Sequence, residues 1–208
     1  MKNWNALYCN VLDDLKKQLS PFLMYHRWKH TQHVLELAEQ IAFYEHITEE
    51  ELLLLKTAAL LHDAGFINGF YEGHEEEGVR MAENILPEYG YSKKEIETIA
   101  GIIRATIIPQ KPKTKLECIL ADADLEYLGT DKFEHLGNIL YLELRYFHPN
   151  LSLDDWNEMQ INFLQSHIYH TTYCIQNRAP LKKKNLNRLI KNLKTQEKRQ
   201  ANTRKRTN

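Results

Sequence analysis

The sequence predicts an all-α protein, on three observations. Apolar residues recur at three- and four-residue steps from Leu7 almost to Leu193. Nowhere does the strict apolar–polar alternation of a half-buried strand persist. Two segments, Thr48-Glu49-Glu50-Glu51 and Ser92-Lys93-Lys94-Glu95, carry the capping-box pattern that opens a helix.

The first stripe, Leu7, Val11, Leu15 and Leu19, stops at Ser20-Pro21, where proline breaks the pattern. Val34, Leu37, Ala38 and Ile41 form a second, starting near His30. The capping box at Thr48 opens a strongly apolar helix running to His62, and Gly65 and Gly69 punctuate the stretch after it. Val79, Ala82 and Leu86 mark a fourth helix, ended near Pro87 and Gly90. The box at Ser92 leads into Ile96, Ile99 and Ile103. Pro109–Thr114, with two prolines and no apolar residue, is a loop. Leu116, Ile119, Leu120 and Ala123 come next as a helix ending by Gly129, then Phe133, Leu136, Leu140 and Leu144 make another. Ser152 caps a long late helix with Trp156, Met159, Phe163 and Ile168 on one face. Leu186, Leu189, Ile190 and Leu193 make a last, helix-compatible segment.

At 208 residues and 43% hydrophobic, the chain is long enough to bury a real core in one domain. Eight Gly and six Pro exclude collagen-like and low-complexity architectures. No apolar run approaches the roughly 20 residues of a membrane span. Met1-Lys2-Asn3-Trp4 lacks the apolar stretch of a secretory signal. Cys9, Cys118 and Cys174 are widely spaced and form no CxxC pair, as expected of thiols in a reduced, cytoplasmic compartment. The net charge of −1 conceals a split. Lys182–Asn208 holds 11 basic residues and one acid, so residues 1–181 hold 16 basic and 27 acidic groups. The chain is therefore divided into a helical domain, 1–181, and a basic tail, 182–208, helical at first and then disordered. The acidic body repels a polyanion at long range, so its expected partner is a small molecule. Nucleic-acid contact would have to come from the tail, which has no aromatic residue after Tyr173 to support it.

Ten histidines in such a chain direct attention to metal ligation. His62-Asp63 is the most informative pair, because it closes an apolar helix just before Gly65, where polar groups are costly unless paired or metal-bound. His30 and one late Asp would complete a nitrogen–oxygen set suited to one divalent ion (Mn, Fe, Co, Ni, Zn or Mg), with positions left for water and substrate. Two late acids compete. Asp122 is preferred because Leu125 and Leu128 at +3 and +6 put it near the core-facing stripe, while Asp124 could also approach that face. His26 fits either a place beside the site or a packing role in its turn. His33, His46, His135 and His148 read as surface or core-edge residues. His167 and His170 lack a carboxylate nearby.

Tyr25-His26-Arg27-Trp28-Lys29-His30-Thr31, Leu61-His62-Asp63-Ala64-Gly65 and Leu120-Ala121-Asp122-Ala123-Asp124-Leu125, taken in order, resemble the HD-domain metal-dependent phosphohydrolase superfamily. The resemblance covers about residues 20–150. It implies a helical bundle with additional C-terminal helices, and a metal held by His30, His62, Asp63 and the late Asp. It also implies hydrolysis of a phosphoester or phosphoanhydride in a small phosphorylated substrate, commonly a nucleotide. Two-metal members place two further histidines between the doublet and the last Asp. Here only His74 stands there, so one metal is expected, with His74 left to meet substrate or carry a proton. Arg27 and Lys29, flanking His30, are the expected phosphate-binding cations, with Arg104, Lys111 and Lys113 as further candidates. A di-iron oxygenase on the same scaffold and a non-catalytic metal-binding sensor domain are the alternatives. No GxxxxGK[ST], GxGxxG or GxSxG motif supports another chemistry.

Overall fold

The structure, a computed structural model, describes residues 2–69 and 71–204, with side chains through Thr195. Ten α-helices and no strand occur among the described residues. In order they are α1 (Trp4–Gln18), α2 (Trp28–Tyr44), α3 (Glu49–Leu61), α4 (His74–Ile85), α5 (Lys93–Arg104), α6 (Lys115–Asp124), α7 (Phe133–Phe147), α8 (Leu153–Ser166), α9 (Thr172–Asn177) and α10 (Ala179–Arg204). Short 3-10 turns occupy Ala64–Asn68, Leu86–Tyr89 and Glu126–Gly129. None of the described helices is long and apolar enough to cross a membrane.

Local sequence sets most boundaries. Thr48, Ser92 and Ser152 accept from the backbone N–H three residues on, and Glu51, Glu95 and Asp155 reach back to each cap's own N–H. Such caps are each worth about 1 kcal/mol. The late helix α8 ends at Ser166, short of the expected Ile168, which is exposed beyond it. The six-residue α9 has no stripe of its own and is not visible in the periodicity.

The main core joins α1, α2, α3, α5 and α6 through fully buried Leu7, Leu15, Ile41, Leu55, Leu60, Leu61, Ile99, Ile103, Ile119 and Leu120. Helix α2 packs against both α3 and α6, and its start meets the ends of those two helices at one pole. A smaller cluster, Leu125, Tyr127, Leu128, Phe133 and Leu164, ties α7 and α8 to that pole, with Leu186 and Leu189 of α10 against it. The division drawn after residue 181 falls inside continuous α10, whose first half belongs to the packed body. There, buried Asn185 donates to the carbonyls of Leu128 (3.0 Å) and Thr130 (2.9 Å), and Arg178 just before α10 pairs with Glu126. The tail's last residues, 205–208, lie outside the described residues.

Candidate metal centre

Helix α3 delivers the doublet as it ends. His62 is the last residue with helical dihedrals, and Asp63 (φ −102°, ψ 2°) turns the chain into the 3-10 segment. His62 Nδ1 lies 2.8 Å from the Ala59 carbonyl, an acceptor, so this nitrogen carries the proton and donates. Its Nε2 lone pair then faces inward, the tautomer a metal-ligating histidine needs. Both His62 Nε2 and Asp63 Oδ2 are buried without a hydrogen-bond partner. His30, from the first turn of α2, and Asp124, the last residue of α6, complete the group. His30 Nε2 is 3.2 Å from Asp124 Oδ1 and 3.5 Å from Asp63 Oδ2. His62 Nε2 is 3.3 Å from Asp63 Oδ2 and 3.6 Å from Asp124 Oδ1. One donor atom each from His30, His62 and Asp124 falls within a 4.8 Å span.

Two imidazoles and two carboxylates around two orphaned buried atoms fit a divalent cation. The electrostatics agree. Burial works against a charged His62, yet the neighbouring Asp63 and Asp124 carboxylates raise its pKa well above the usual value. Burial likewise opposes the Asp63 carboxylate, but His62 and His74 hold its pKa well down. The site is thus electron-rich, and protons occupy it when nothing else does.

His74 opens α4 on the other side of Asp63. Its Nδ1 is 3.0 Å from the Tyr71 carbonyl and its Nε2 is 3.4 Å from Asp63 Oδ1 and 3.5 Å from Glu75 Oε1. Two glycines allow this approach. A Cβ on Gly65 would collide with the His74 carbonyl oxygen, and one on Gly78 would lie 2.7 Å from the Leu61 carbonyl oxygen.

Residues 27–126 match the family model described as the HD domain. The match spans just under half of the chain, so residues 27–126 are described as an HD domain. A crystal structure of a predicted HD superfamily hydrolase from an uncultured Thermotogales bacterium shares the fold, at 23% identity and a TM-score of 0.52. The match covers 78% of this chain and 89% of that one. Among curated proteins no significant sequence match was found.

Within this HD domain the late acid beside the histidines is Asp124, which corrects the preference for Asp122. Fully buried Asp122 turns toward the loop before α9. Its carboxylate accepts from His170 N (2.9 Å), Thr171 N (2.8 Å) and Thr171 Oγ1 (2.6 Å). Two residues along a helix rotate the side chain by roughly 200°, so the two acids cannot share a face. The stripe argument treats the core as one surface, whereas α6 has the metal pole on one side and the α9 loop on the other.

Arg27 and Lys29 are not brought to the site. Arg27 is the extended, exposed N-cap of α2, and exposed Lys29 projects beside His30 with its ammonium 5.5 Å from the Trp28 ring centre. Of the further cations, Arg104 forms a two-point ion pair with Glu76 (2.7 and 2.9 Å). The basic side chain that does face the HD-domain site is His26. Its Nδ1 pairs with Glu143, a buried carboxylate from the middle of α7 that also accepts from the backbone N–H of Tyr25 (2.7 Å) and His26 (3.1 Å). Burial opposes a charged His26, but the Glu143 hydrogen bond and the Asp63 charge raise its pKa above the usual value. Phe66 stacks between the two outer histidines, 3.9 Å from the His74 ring centre and 4.8 Å from that of His26. Neither Glu143 nor Phe66 is signalled by the sequence. Glu143 reaches Tyr25 and His26 across more than 100 positions, and only a buried acid on an apolar stripe could have marked it.

Proposed function

We propose that this HD domain is a metal-dependent phosphohydrolase acting on a small phosphorylated substrate, with His30, His62, Asp63 and Asp124 holding one divalent ion. The observation that carries the reading is the pair of partnerless buried atoms, His62 Nε2 and Asp63 Oδ2, where the donors of His30 and Asp124 converge. A bound divalent ion would lower the pKa of a water molecule and draw charge from a phosphoryl oxygen. The chain's own residues do the rest. The His26 ring, fixed by Glu143, stands at the cavity wall as a cation for a phosphate oxygen, the task the sequence assigned to Arg27 and Lys29. His74 Nε2 stands 3.4 Å from Asp63 Oδ1, and the Asp63 hydrogen bond and charge, outweighing burial, raise its pKa. When protonated, that nitrogen is placed to pass a proton to the leaving oxygen. Phe66 stacks on both rings, and Tyr71 lies edge-on to that of His26.

The test is metal analysis of the purified protein, then a phosphatase screen with Mn, Co, Ni or Mg. One ion per chain and metal-dependent release of phosphate are expected. His62→Ala and Asp63→Ala are expected to lose both. Unchanged metal content in these variants overturns the assignment. Two tightly held irons with oxygen consumption would replace it with the oxygenase reading.

A further inference from the structure

A cavity of about 740 Å³ opens directly from the metal centre, and its walls are unsuited to a nucleotide. Its inner end is formed by Asp63, Asp124, His26 and His74. Its outer walls come from the apolar faces of α7 and α8 and the turn before them, including Leu128, Phe133, Leu140, Leu144, Trp156 and Phe163. Among the described residues, no Lys or Arg lines it. Asp63 and Asp124 together balance one divalent ion; the His26 and His74 rings are the remaining nitrogen groups of the described wall, and Glu75 adds a carboxylate beside His74. One phosphate can be matched there, but the three or four charges of a polyphosphate cannot.

The polar side chains away from the metal centre are few. The Thr106 hydroxyl is spent on the Ile103 carbonyl (2.8 Å) and that of Ser166 on the Phe163 carbonyl (3.2 Å). Of the described lining, the Gln160 and Asn162 amides and the Tyr25 and Tyr127 hydroxyls remain, along walls long enough for a drug-sized ligand. A ribose and base would leave polar groups unpaired against leucine, phenylalanine and tryptophan. Met159, expected on a core stripe, is instead 50% exposed and faces this space.

The geometry points to a phosphate monoester of a bulky apolar alcohol as the substrate, a reading that rests on the proposed hydrolase activity. Water adds its oxygen to phosphorus, the ester P–O bond breaks, and the departing oxygen takes a proton, giving inorganic phosphate and the free alcohol. The alcohol's hydrocarbon body occupies the α7–α8 cavity while its phosphate meets the histidines. Each methylene placed there raises kcat/KM by up to about fourfold until the cavity is filled.

The experiment measures kcat/KM of the metal-loaded protein for ethyl, butyl, hexyl and octyl phosphate against AMP, dAMP and ATP. In parallel, thermal stability is measured with the corresponding uncleavable alkyl phosphonates, with and without metal. Rising efficiency and rising protection with chain length are expected, with AMP and dAMP well below octyl phosphate and ATP lowest. Met159→Glu and, independently, Leu144→Gln are expected to flatten both length dependences. Efficiency that is flat with length, or nucleotides favoured over octyl phosphate, overturns the substrate class while leaving hydrolysis intact. Length-dependent protection without cleavage of any phosphate would instead refute the hydrolase reading and support the apolar cavity as a binding site.

Discussion

The metal pole and the α7–α8 layer are neighbours built to opposite specifications. In α3, Leu55 and Ala58–Leu61 are all buried, and the doublet comes next with its donors locked by backbone and by each other. In α7, only Phe133, Gly137 and Glu143 are buried, and Leu142, Tyr146 and Phe147 remain exposed. The first region spends its apolar surface on fixing atoms to a fraction of an ångström. The second keeps apolar surface available beside those atoms, as a binding wall must. The two are joined at Glu143, the one buried acid of α7, which grips Tyr25 and His26 just before α2 begins.

The largest expected effect separates the two regions outright. His62→Ala should abolish bound metal and lower phosphate release by about 10³-fold or more. Trp156→Leu, in the outer wall, should leave the metal content at the wild-type value. Elemental analysis of both proteins checks this, and loss of metal from the α8 variant would erase the distinction.

Next comes the contest between the two acids of α6. Asp124→Asn should weaken metal binding by at least about 10-fold to 100-fold. Asp122→Asn should keep the metal but cost about 1–3 kcal/mol of stability, since it disturbs the bonds to His170 and Thr171. Calorimetry and metal titration, run together, resolve the pair. The reverse pattern would return the ligand role to Asp122.

That contest also shows how much can be read from the sequence. Helix order and the capping boxes at Thr48 and Ser92 arise from local spacing, and the structure has them, with the Ser152 cap forming a third box. The choice between Asp122 and Asp124 depends on the loop at His170–Thr171, nearly 50 residues away, and no periodicity reports which side of α6 that loop occupies. Arg27 and Lys29 are attractive for nearness in sequence to His30, but a helix turns each successive side chain by roughly 100°, so nearness along the chain sends them outward. Glu143 escapes a local reading for the same reason that it matters: its partners lie more than 100 positions earlier.

A smaller effect tests the junction. Glu143→Gln should lower kcat by about 10-fold while metal content stays at one ion per chain. Loss of the metal as well would mean that α7 shapes the pole itself and not only the histidine facing it.

The last effect concerns acid, and is one of stability alone. His167, where α8 ends, is held neutral by burial and by the nearby Lys182 charge, its pKa pushed down to about 3. The Lys182 ammonium lies 3.1 Å from its Nδ1, so the ring accepts there. The unfolded chain takes up a proton near pH 6.5 and the folded chain does not until about pH 3. Stability from this group is therefore complete above pH 6.5 and drains away as the pH falls through that window. Between pH 7 and pH 5 the loss should be on the order of 2 kcal/mol. His167→Gln should show a flatter dependence in thermal melts, and an unchanged slope would dismiss His167 as its source.

Gly65 and Gly78 determine what kind of change this molecule tolerates. The spacing between the end of α3 and the start of α4 is set mainly by main chain against main chain, with the Glu77 Cβ also close to Gly65. Core side-chain volumes can therefore drift, at a cost in stability, without widening the gap between Asp63 and His74. Homologues with diverged cores would keep the same working distance, provided hydrogen alone occupies these two positions. A saturation library would show two narrow intolerant columns there, in helices whose other buried positions accept several apolar residues.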